Sequence, residues 1–204
     1  MCTGLYSRFI LPRIIDFVMN NEDTAKERAK VIPRASGDVL EIAVGSGLNL
    51  PFYGPAVSRL FAVDPSAELL RMARTRTRNT AFPVEFLQRS AETLPFGDAS
   101  MDTVVVTWGL CSIANPRDAL HQMKRVLKPG GRLLFVEHGR SHDVAIERWQ
   151  NRLNLVWRVI AGGCNLNRAI DELVREAGFQ IDELDTEYLP GPRIMTFTYR
   201  GAAT

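Results

Sequence analysis

The residues best suited to chemistry in this sequence surround a pair of glycines. The apolar run 39–44 leads directly into Gly45-Ser46-Gly47, where glycine allows the backbone to turn sharply and to approach a ligand closely. Asp64 ends the next apolar run, and a carboxylate in that position can accept hydrogen bonds from the hydroxyl groups of a ribose. Together these features predict a nucleoside site; a tight strand-to-helix turn without a ligand is the alternative.

Two residues near the glycines argue against a dinucleotide. A dinucleotide site usually has a third glycine, in the pattern G-x-G-x-x-G, and Leu50 occupies that place here. Glu41 adds a carboxylate that would repel phosphate groups but can help to hold an ammonium group, directly or through water. S-adenosylmethionine (SAM) has a ribose, a sulfonium and an amino-acid tail but no phosphate, and it therefore fits these residues.

Four motifs resemble those of the class I SAM-dependent methyltransferases. They are residues 41–47, with Ala43 in place of the family's first glycine, the second motif 63–66, the stretch 90–102 that brackets adenine in the family, and the turn 126–131 before the fifth strand. The resemblance implies a Rossmann-like α/β fold with helices on both faces of a seven-stranded sheet. The implied strand order is 3-2-1-4-5-7-6, with strand 7 antiparallel.

The resemblance also implies a cofactor and the residues that hold it. The cofactor would be SAM and the product S-adenosyl-L-homocysteine, with Asp64 on the ribose. Many relatives have aspartate where this chain has Ser90, so we expect the backbone N–H of Ala91 to donate to the adenine ring. The predicted cofactor-binding residues are Glu41, Ala43, Gly45, Ser46, Gly47, Asn49, Asp64, Pro65, Leu69, Ser90, Ala91, Glu92 and Thr107.

The methyl acceptor is expected beyond the carboxyl ends of the fourth and fifth strands, where ligands of open α/β sheets bind. His138 is the one credible titrating group there, and we predict it as the candidate catalytic residue; an oriented structural histidine is the alternative. The predicted acceptor-pocket residues are Tyr6, Trp108, Cys111, Trp149 and Trp157. The alternative for Cys111, Trp149 and Trp157 is a role in core packing.

A finer resemblance concerns the acceptor atom. The stretches 110–113, 137–138 and 163–168 resemble the methyltransferase-like 7 group of animal thiol methyltransferases, which implies a small thiol as the acceptor. A thiol with a pKa near ~8.5 is already partly ionised and needs little more than alignment. N-methylation of a phospholipid headgroup, C- or O-methylation of a quinone-like molecule, and a non-enzymatic SAM sensor remain alternatives.

The composition of the chain indicates which classes of binding partner to expect. The net charge of the 204 residues is +2, which gives no electrostatic case for nucleic-acid binding. No apolar run approaches the ~20 residues of a membrane helix, so we expect a cytoplasmic protein without an integral membrane segment, although peripheral contact is compatible with the sequence. The cysteines Cys2, Cys111 and Cys164 suit a reducing compartment and fit no C-x-x-C spacing, so no metal site is predicted. The oligomeric state is left undetermined.

The elements that must position these residues alternate along the chain, which predicts a parallel sheet covered by helices. The expected strands are 39–44, 59–63, 84–88, 103–107 and 132–136, with helices 67–78 and 116–127 between them. A helix at 168–177, capped by Asn167 and followed by Gly178, leads to an antiparallel pair of strands, 179–188 and 193–200.

We expect one methyltransferase domain, 1–204, in four parts. They are an N-terminal helical cap (1–37), the nucleotide-binding core (38–138), a helical lid insertion (139–166) and a C-terminal helix with the strand pair (167–204). Two amphipathic helices, 5–19 and 146–160, have no place in a plain doubly wound sheet. We predict that they form a lid over the acceptor site.

Overall fold

The structure, a computed structural model, describes residues 6–204. Its seven strands form one sheet in the order β3-β2-β1-β4-β5-β7-β6, in which β1 to β5 are parallel and β7 is antiparallel to β5 and β6. The strands are β1 Gly37–Ile42, β2 Val57–Val63, β3 Val84–Leu87, β4 Met101–Thr107, β5 Leu127–His138, β6 Ile181–Tyr188 and β7 Phe197–Ala203. This confirms the predicted fold class and strand order.

The central strands are buried on both faces, which explains their continuous apolar sequence. Along β4, Val104 and Val106 pack on one side of the sheet while Val105 packs on the other, and all three are fully buried. The main helices are α1 Leu11–Met19, α2 Glu22–Val31, α3 Ala67–Thr75, α4 Pro116–Val126, α5 Val144–Ile160 and α6 Ile170–Glu176.

Polar side chains begin several of these helices. The Ser66 hydroxyl accepts a hydrogen bond from the backbone N–H of Leu69 at the start of α3, and Asn115 caps α4 in the same way. Asp143 caps α5 by accepting from the first backbone N–H groups. These caps fix where the chain leaves the carboxyl ends of the strands and turns back over the sheet.

Helix α2 is missing from the sequence prediction. Its buried residues include Thr24, Glu27 and Arg28, so it lacks the apolar periodicity that signals a helix packed on a core. Glu27 is buried against the sheet by ion pairs with Lys30 and with Arg200 of β7. Because Arg200 is distant in sequence, the local pattern around Glu27 gives no indication of this packing.

The C-terminal part differs from the prediction at two boundaries. Helix α6 begins after Ala169, and Asn167 does not cap it: its side-chain amide donates to Asn151 instead. Residues Arg193–Thr196 form a helical turn, so β7 runs later than the predicted 193–200. Gly178 adopts φ +87° just past α6, as expected of a glycine that ends a helix.

The two helices outside the sheet layers expose apolar side chains. Helix α1 is preceded by a π-helical turn, Tyr6–Ile10, and residues 1–5 of the predicted cap, Cys2 among them, lie outside the described residues. The exposed large apolar residues are Tyr6, Phe9, Ile10, Ile14, Ile15, Phe17 and Val18, and on α5 Val144, Trp149, Leu153, Leu155, Val156, Val159 and Ile160. Across residues 6–204, no helix is long and apolar enough to cross a membrane.

Candidate active site

The loop after β1 has the backbone conformation that the glycine motif predicts. Gly45 and Gly47 adopt φ +58° and +83°, and Ala43 is also left-handed, with φ +54°. A side chain on Gly47 would lie 2.9 Å from the Leu50 side chain and 3.0 Å from Ala73 of α3. The loop therefore needs glycine at position 47 for close packing as well as for its backbone angle.

Asp64 joins the two predicted motifs. Its Oδ2 atom accepts a hydrogen bond of 3.0 Å from the backbone N–H of Gly45, and its Oδ1 atom accepts one of 2.8 Å from Ser66. The side chain is only 4% exposed, and burial raises the pKa of the carboxyl to about 6 against the effect of these two bonds. A carboxylate offers about four acceptor positions, so two remain for the hydroxyl groups of a ribose.

Glu41 lies at the base of the same loop. Its carboxylate accepts hydrogen bonds of 2.9 Å from the side-chain amide of Asn49 and 2.9 Å from the hydroxyl of Tyr53. The Asn49 amide also donates to the hydroxyl of Thr107 at the end of β4. Burial raises the pKa of Glu41 to about 7. The structure thus brings together three of the predicted cofactor residues, Glu41, Asn49 and Thr107.

Arg28 belongs to this network and is absent from the sequence prediction. Its Nε atom donates to the Asn49 side-chain oxygen at 3.0 Å, and its guanidinium lies 4.8 Å from the ring centroid of Trp108. Burial lowers the pKa of Arg28 to about 10, which still leaves it charged at neutral pH. The sequence gives no apolar periodicity around Arg28 that would indicate a buried position on α2.

Helix α1 is tied to the glycine loop by its polar side chains. The Asp16 carboxylate accepts a hydrogen bond of 2.5 Å from the Ser46 hydroxyl. Arg76, which follows α3, forms an ion pair with Asp16 and donates to the backbone oxygen of Ser46 at 2.6 Å. Neither Asp16 nor Arg76 is among the predicted site residues.

The predicted adenine stretch forms a loop beside α4. Ala91 is buried, the Ser90 hydroxyl accepts from the backbone N–H of Glu92, and the Glu92 carboxylate accepts from the backbone N–H of Asn115. The remaining predicted cofactor residues, exposed Pro65 and half-buried Leu69, lie at the start of α3.

The ends of β4 and β5 are held together by a buried carboxylate. Glu137 accepts hydrogen bonds from the backbone N–H groups of Gly109, Leu110 and Cys111, at 2.7, 2.9 and 3.3 Å. Burial raises the pKa of Glu137 to about 7. A side chain on Gly109 would lie 2.8 Å from the Ala43 Cβ atom, so this turn packs directly against the glycine loop.

Cys111, His138 and Cys164 converge at these strand ends. The two Sγ atoms lie 3.8 Å apart, and the Cys164 Sγ atom lies 3.4 Å from the His138 Nε2 atom. The indole N–H of Trp157 donates to the Cys164 sulfur at 3.4 Å. The hydrogen bond with Cys111 contributes most to lowering the pKa of the Cys164 thiol, and His138 lowers it further. Cys164 is missing from the predicted site residues because its loop is far from both strands in sequence.

The remaining predicted acceptor residues are placed differently. The Tyr6 hydroxyl donates to the backbone oxygen of Ile160 at 3.1 Å and so ties the N-terminal turn to the end of α5. Trp149 is 52% exposed, with the Arg152 guanidinium 5.4 Å from its ring centroid, which makes it a surface residue of α5 and not a core residue. Trp108 directly follows the end of β4, and Trp157 on α5 donates its indole N–H to the Cys164 sulfur.

Most of the chain is similar in sequence to known proteins. A family model described as a methyltransferase domain matches residues 40–135. Thiol S-methyltransferase TMT1B is similar over most of the chain: the human protein is 32% identical over 81% of this chain and 72% of its own length, and the rat protein is 34% identical over 76% and 64%. The chain belongs to the class I SAM-dependent methyltransferases.

Other members of this family share its core or its fold. The ubiquinone/menaquinone biosynthesis C-methyltransferase UbiE of Hahella chejuensis is 38% identical over 56% of this chain and 48% of its own length. The crystal structure of a SAM-dependent methyltransferase from Thermotoga maritima superposes with a TM-score of 0.69 at 22% identity, and the match covers 98% of this chain and 97% of that one. As in the family, the cofactor of this methyltransferase is SAM.

Proposed function

We propose that this methyltransferase transfers the methyl group of SAM to the sulfur of a small thiol. The observation that carries the proposal is that the buried carboxylates of Glu41 and Glu137 are both engaged in hydrogen bonds. Glu137 binds three backbone N–H groups, and Glu41 binds Asn49 and Tyr53. Because these hydrogen bonds engage both carboxylates, neither is placed as a free general base. Methylation of a thiol depends less on a general base than methylation of an amine or a phenol does.

The length of chain matched by each relative also supports a thiol as the acceptor. The human protein named as a thiol S-methyltransferase matches 81% of this chain, whereas the quinone C-methyltransferase matches 56%. The longer match includes more of the chain outside the nucleotide-binding core.

In the proposed reaction, the chain's residues bind and align two reactants. Asp64 accepts hydrogen bonds from the ribose, and the loop of Gly45 and Gly47 allows the amino-acid tail to approach the backbone. SAM, when bound, supplies a methyl carbon activated by its sulfonium. The thiolate attacks that carbon in line, the bond from carbon to the sulfonium sulfur breaks with its electron pair left on that sulfur, and the thiol proton goes to solvent.

A matched set of acceptors tests this proposal. Purified protein with methyl-labelled SAM is offered benzyl mercaptan, benzyl alcohol and benzylamine, and the labelled products and S-adenosyl-L-homocysteine are measured by mass spectrometry. We expect the thioether to form and the ether and methylamine to be absent or much slower. Faster methylation of the alcohol or the amine would contradict the proposal. SAM binding with no turnover on any acceptor would favour a sensor.

A second candidate function is C-methylation of a quinone. It is favoured by the 38% identity to UbiE, which is higher than the identity to the thiol methyltransferases but confined to a shorter stretch. Adding a demethylated quinol to the acceptor panel separates the two candidates, because its product carries the new methyl group on carbon.

A further inference from the structure

We propose that Cys111, His138 and Cys164 form a binding site for a thiophilic divalent metal ion, with Zn²⁺ as the expected ion. The Cys111 Sγ, His138 Nε2 and Cys164 Sγ atoms all lie within 4.8 Å of one another. Two cysteine sulfurs and one imidazole nitrogen are the donor types that zinc prefers, and three protein ligands with an open fourth position are typical of catalytic zinc sites.

The distances fit a tetrahedral ion. With Zn–S bonds of about 2.3 Å and a Zn–N bond of about 2.0–2.1 Å, a tetrahedral angle separates two sulfurs by about 3.8 Å and a sulfur from a nitrogen by about 3.6 Å. The structure has 3.8 Å between the two Sγ atoms and 3.4 Å between the Cys164 Sγ and His138 Nε2 atoms. The third pair, the Cys111 Sγ atom and the His138 ring nitrogen, lies within 4.8 Å, and an ion would bring these two atoms to about 3.6 Å.

The ligands come from three separate segments, which is why no ligand spacing appears in the sequence. Cys111 lies in the turn after β4, His138 ends β5, and Cys164 lies in the loop after α5. Cys111 and His138 are buried and Cys164 is half-buried. Such a site is shielded from bulk water and is contacted from α5 by the indole of Trp157.

Surrounding groups hold the two cysteine-bearing loops in register. The Asn165 side chain donates to the backbone oxygens of Cys111 and Gly163, at 2.9 and 2.8 Å, and its backbone N–H also donates to Cys111. Glu137 binds the backbone of the turn that carries Cys111. Hydrogen bonds around a metal site orient its ligands, and here they set both loops before any ion binds.

The ion would also activate the acceptor, an inference that rests on the proposed function. A thiol in the fourth coordination position is deprotonated by the ion, and its proton leaves to solvent. The bound thiolate sulfur then forms a bond to the methyl carbon of SAM, whose carbon–sulfur bond breaks with the electron pair retained by the departing S-adenosyl-L-homocysteine. The product thioether is neutral and dissociates from the ion, so no electrons are gained or lost overall.

The site is tested by metal binding, without reference to activity. Full-length protein is kept in a non-thiol reductant, so the two cysteines stay reduced, and is analysed for zinc by mass spectrometry and titrated with Co²⁺. We expect one ion per chain and a thiolate-to-Co²⁺ charge-transfer absorption. Cys111→Ser and Cys164→Ser should weaken binding by more than the roughly 10–100-fold that loss of an outer partner costs, and Asn165→Ala should fall within that range.

Two controls keep the result interpretable. His121→Gln removes an exposed histidine on α4, and Cys2→Ser removes the third cysteine; both should bind metal like the wild type. SAM affinity, measured for every variant, shows whether the fold is intact. A reduced wild-type protein without zinc and without charge-transfer absorption on Co²⁺ addition would overturn the site, as would unchanged metal binding in folded Cys164→Ser.

The activity measurement separates this inference from the proposed function. If metal binds as expected and no thiol is methylated, the site stands and the proposed acceptor is wrong. If the protein stripped of metal by a chelator methylates thiols at the full rate, the acceptor stands and the activating role of the ion is wrong.

Discussion

The backbone N–H of Gly45 donates a hydrogen bond of 3.0 Å to the carboxylate of Asp64, so the end of β2 directly supports the loop that follows β1. The two residues thus form one unit of the cofactor site. Because Asp64 is buried and its second oxygen is bound to Ser66, its side chain has little freedom to turn away. The proposed ribose contact is therefore formed by a carboxylate that is oriented before the ligand arrives.

Replacing Asp64 with alanine should weaken SAM binding. The change removes a charged acceptor of the ribose hydrogen bonds, at a cost of roughly 1.5–3 kcal/mol, or about 10- to 150-fold in Kd. Isothermal titration calorimetry measures the effect, with circular dichroism to verify folding. Asp182→Ala, at an exposed position on β6, is the matched control and should bind SAM normally. Equal affinity in folded Asp64→Ala would disprove the ribose assignment.

Glu41→Gln should flatten the dependence of stability on pH. Burial raises the pKa of Glu41 from 4.5 to about 7, so the folded protein holds a proton on this group that the unfolded chain has lost. The stabilisation is present at low pH and is lost as pH rises through 7, with an upper limit of about 3 kcal/mol. Urea unfolding of the SAM-free protein at pH 5.5 and pH 8 measures the difference between the variants.

The control for this prediction is Glu85→Gln, because Glu85 is exposed on β3. Its free energy of unfolding should change between the two pH values as that of the wild type does. If Glu41→Gln loses as much stability as the wild type between pH 5.5 and pH 8, then Glu41 does not carry a raised pKa.

Asp16→Ala should loosen the contact between α1 and the glycine loop. The variant loses the hydrogen bond from Ser46 and the ion pair with Arg76. Since each of these contributes up to about 1 kcal/mol, the KM for SAM should rise by about 3- to 20-fold, with a smaller change in kcat. Glu22→Ala, at an exposed position in the first turn of α2, is the control. If the KM for SAM is the same in the two variants, then the contact of α1 with the glycine loop does not contribute to cofactor binding.

Ala43→Gly should stabilise the protein modestly. Ala43 adopts φ +54°, a conformation that costs an alanine about 1–2 kcal/mol, whereas glycine loses about 0.5–1 kcal/mol in backbone entropy. The free energy of unfolding should rise by up to about 1 kcal/mol with an unchanged m-value. Ala119→Gly within α4 should instead destabilise by about 1 kcal/mol. A loss of similar size in both variants would contradict the left-handed conformation at position 43.

The sequence predicted those parts of the site whose residues are close together along the chain. The glycine loop and Asp64 depend on local backbone geometry, and the structure has both. Arg28 and Cys164 depend on contacts between distant segments. Arg28 lies on a helix whose buried face is polar, and Cys164 gains its partners only through the loop after α5.

The start of the C-terminal strand was also predicted incorrectly from the sequence. Alternation of Met195, Phe197 and Tyr199 with threonines predicted a strand from 193, but the first four residues form a helical turn after Pro192. An alternating pattern of apolar and polar residues does not show where a helical turn ends and the following strand begins. Strand β7 begins to pair with β6 at Phe197 and with β5 at Thr198.

Helix α5 buries only one residue, Gln150, which binds the backbone of Gly139, Ser141 and Ile194. Its other ties include polar contacts of half-buried or exposed residues with the loop that follows, made by Asn151, Asn154 and Trp157. A helix that buries so little of its surface can detach at a free-energy cost well below that of global unfolding. Its amides should therefore exchange with deuterium much faster than those of β4, and faster still in Gln150→Ala. The rate at which acceptors enter would then be set by this detachment and not by the stability of the sheet.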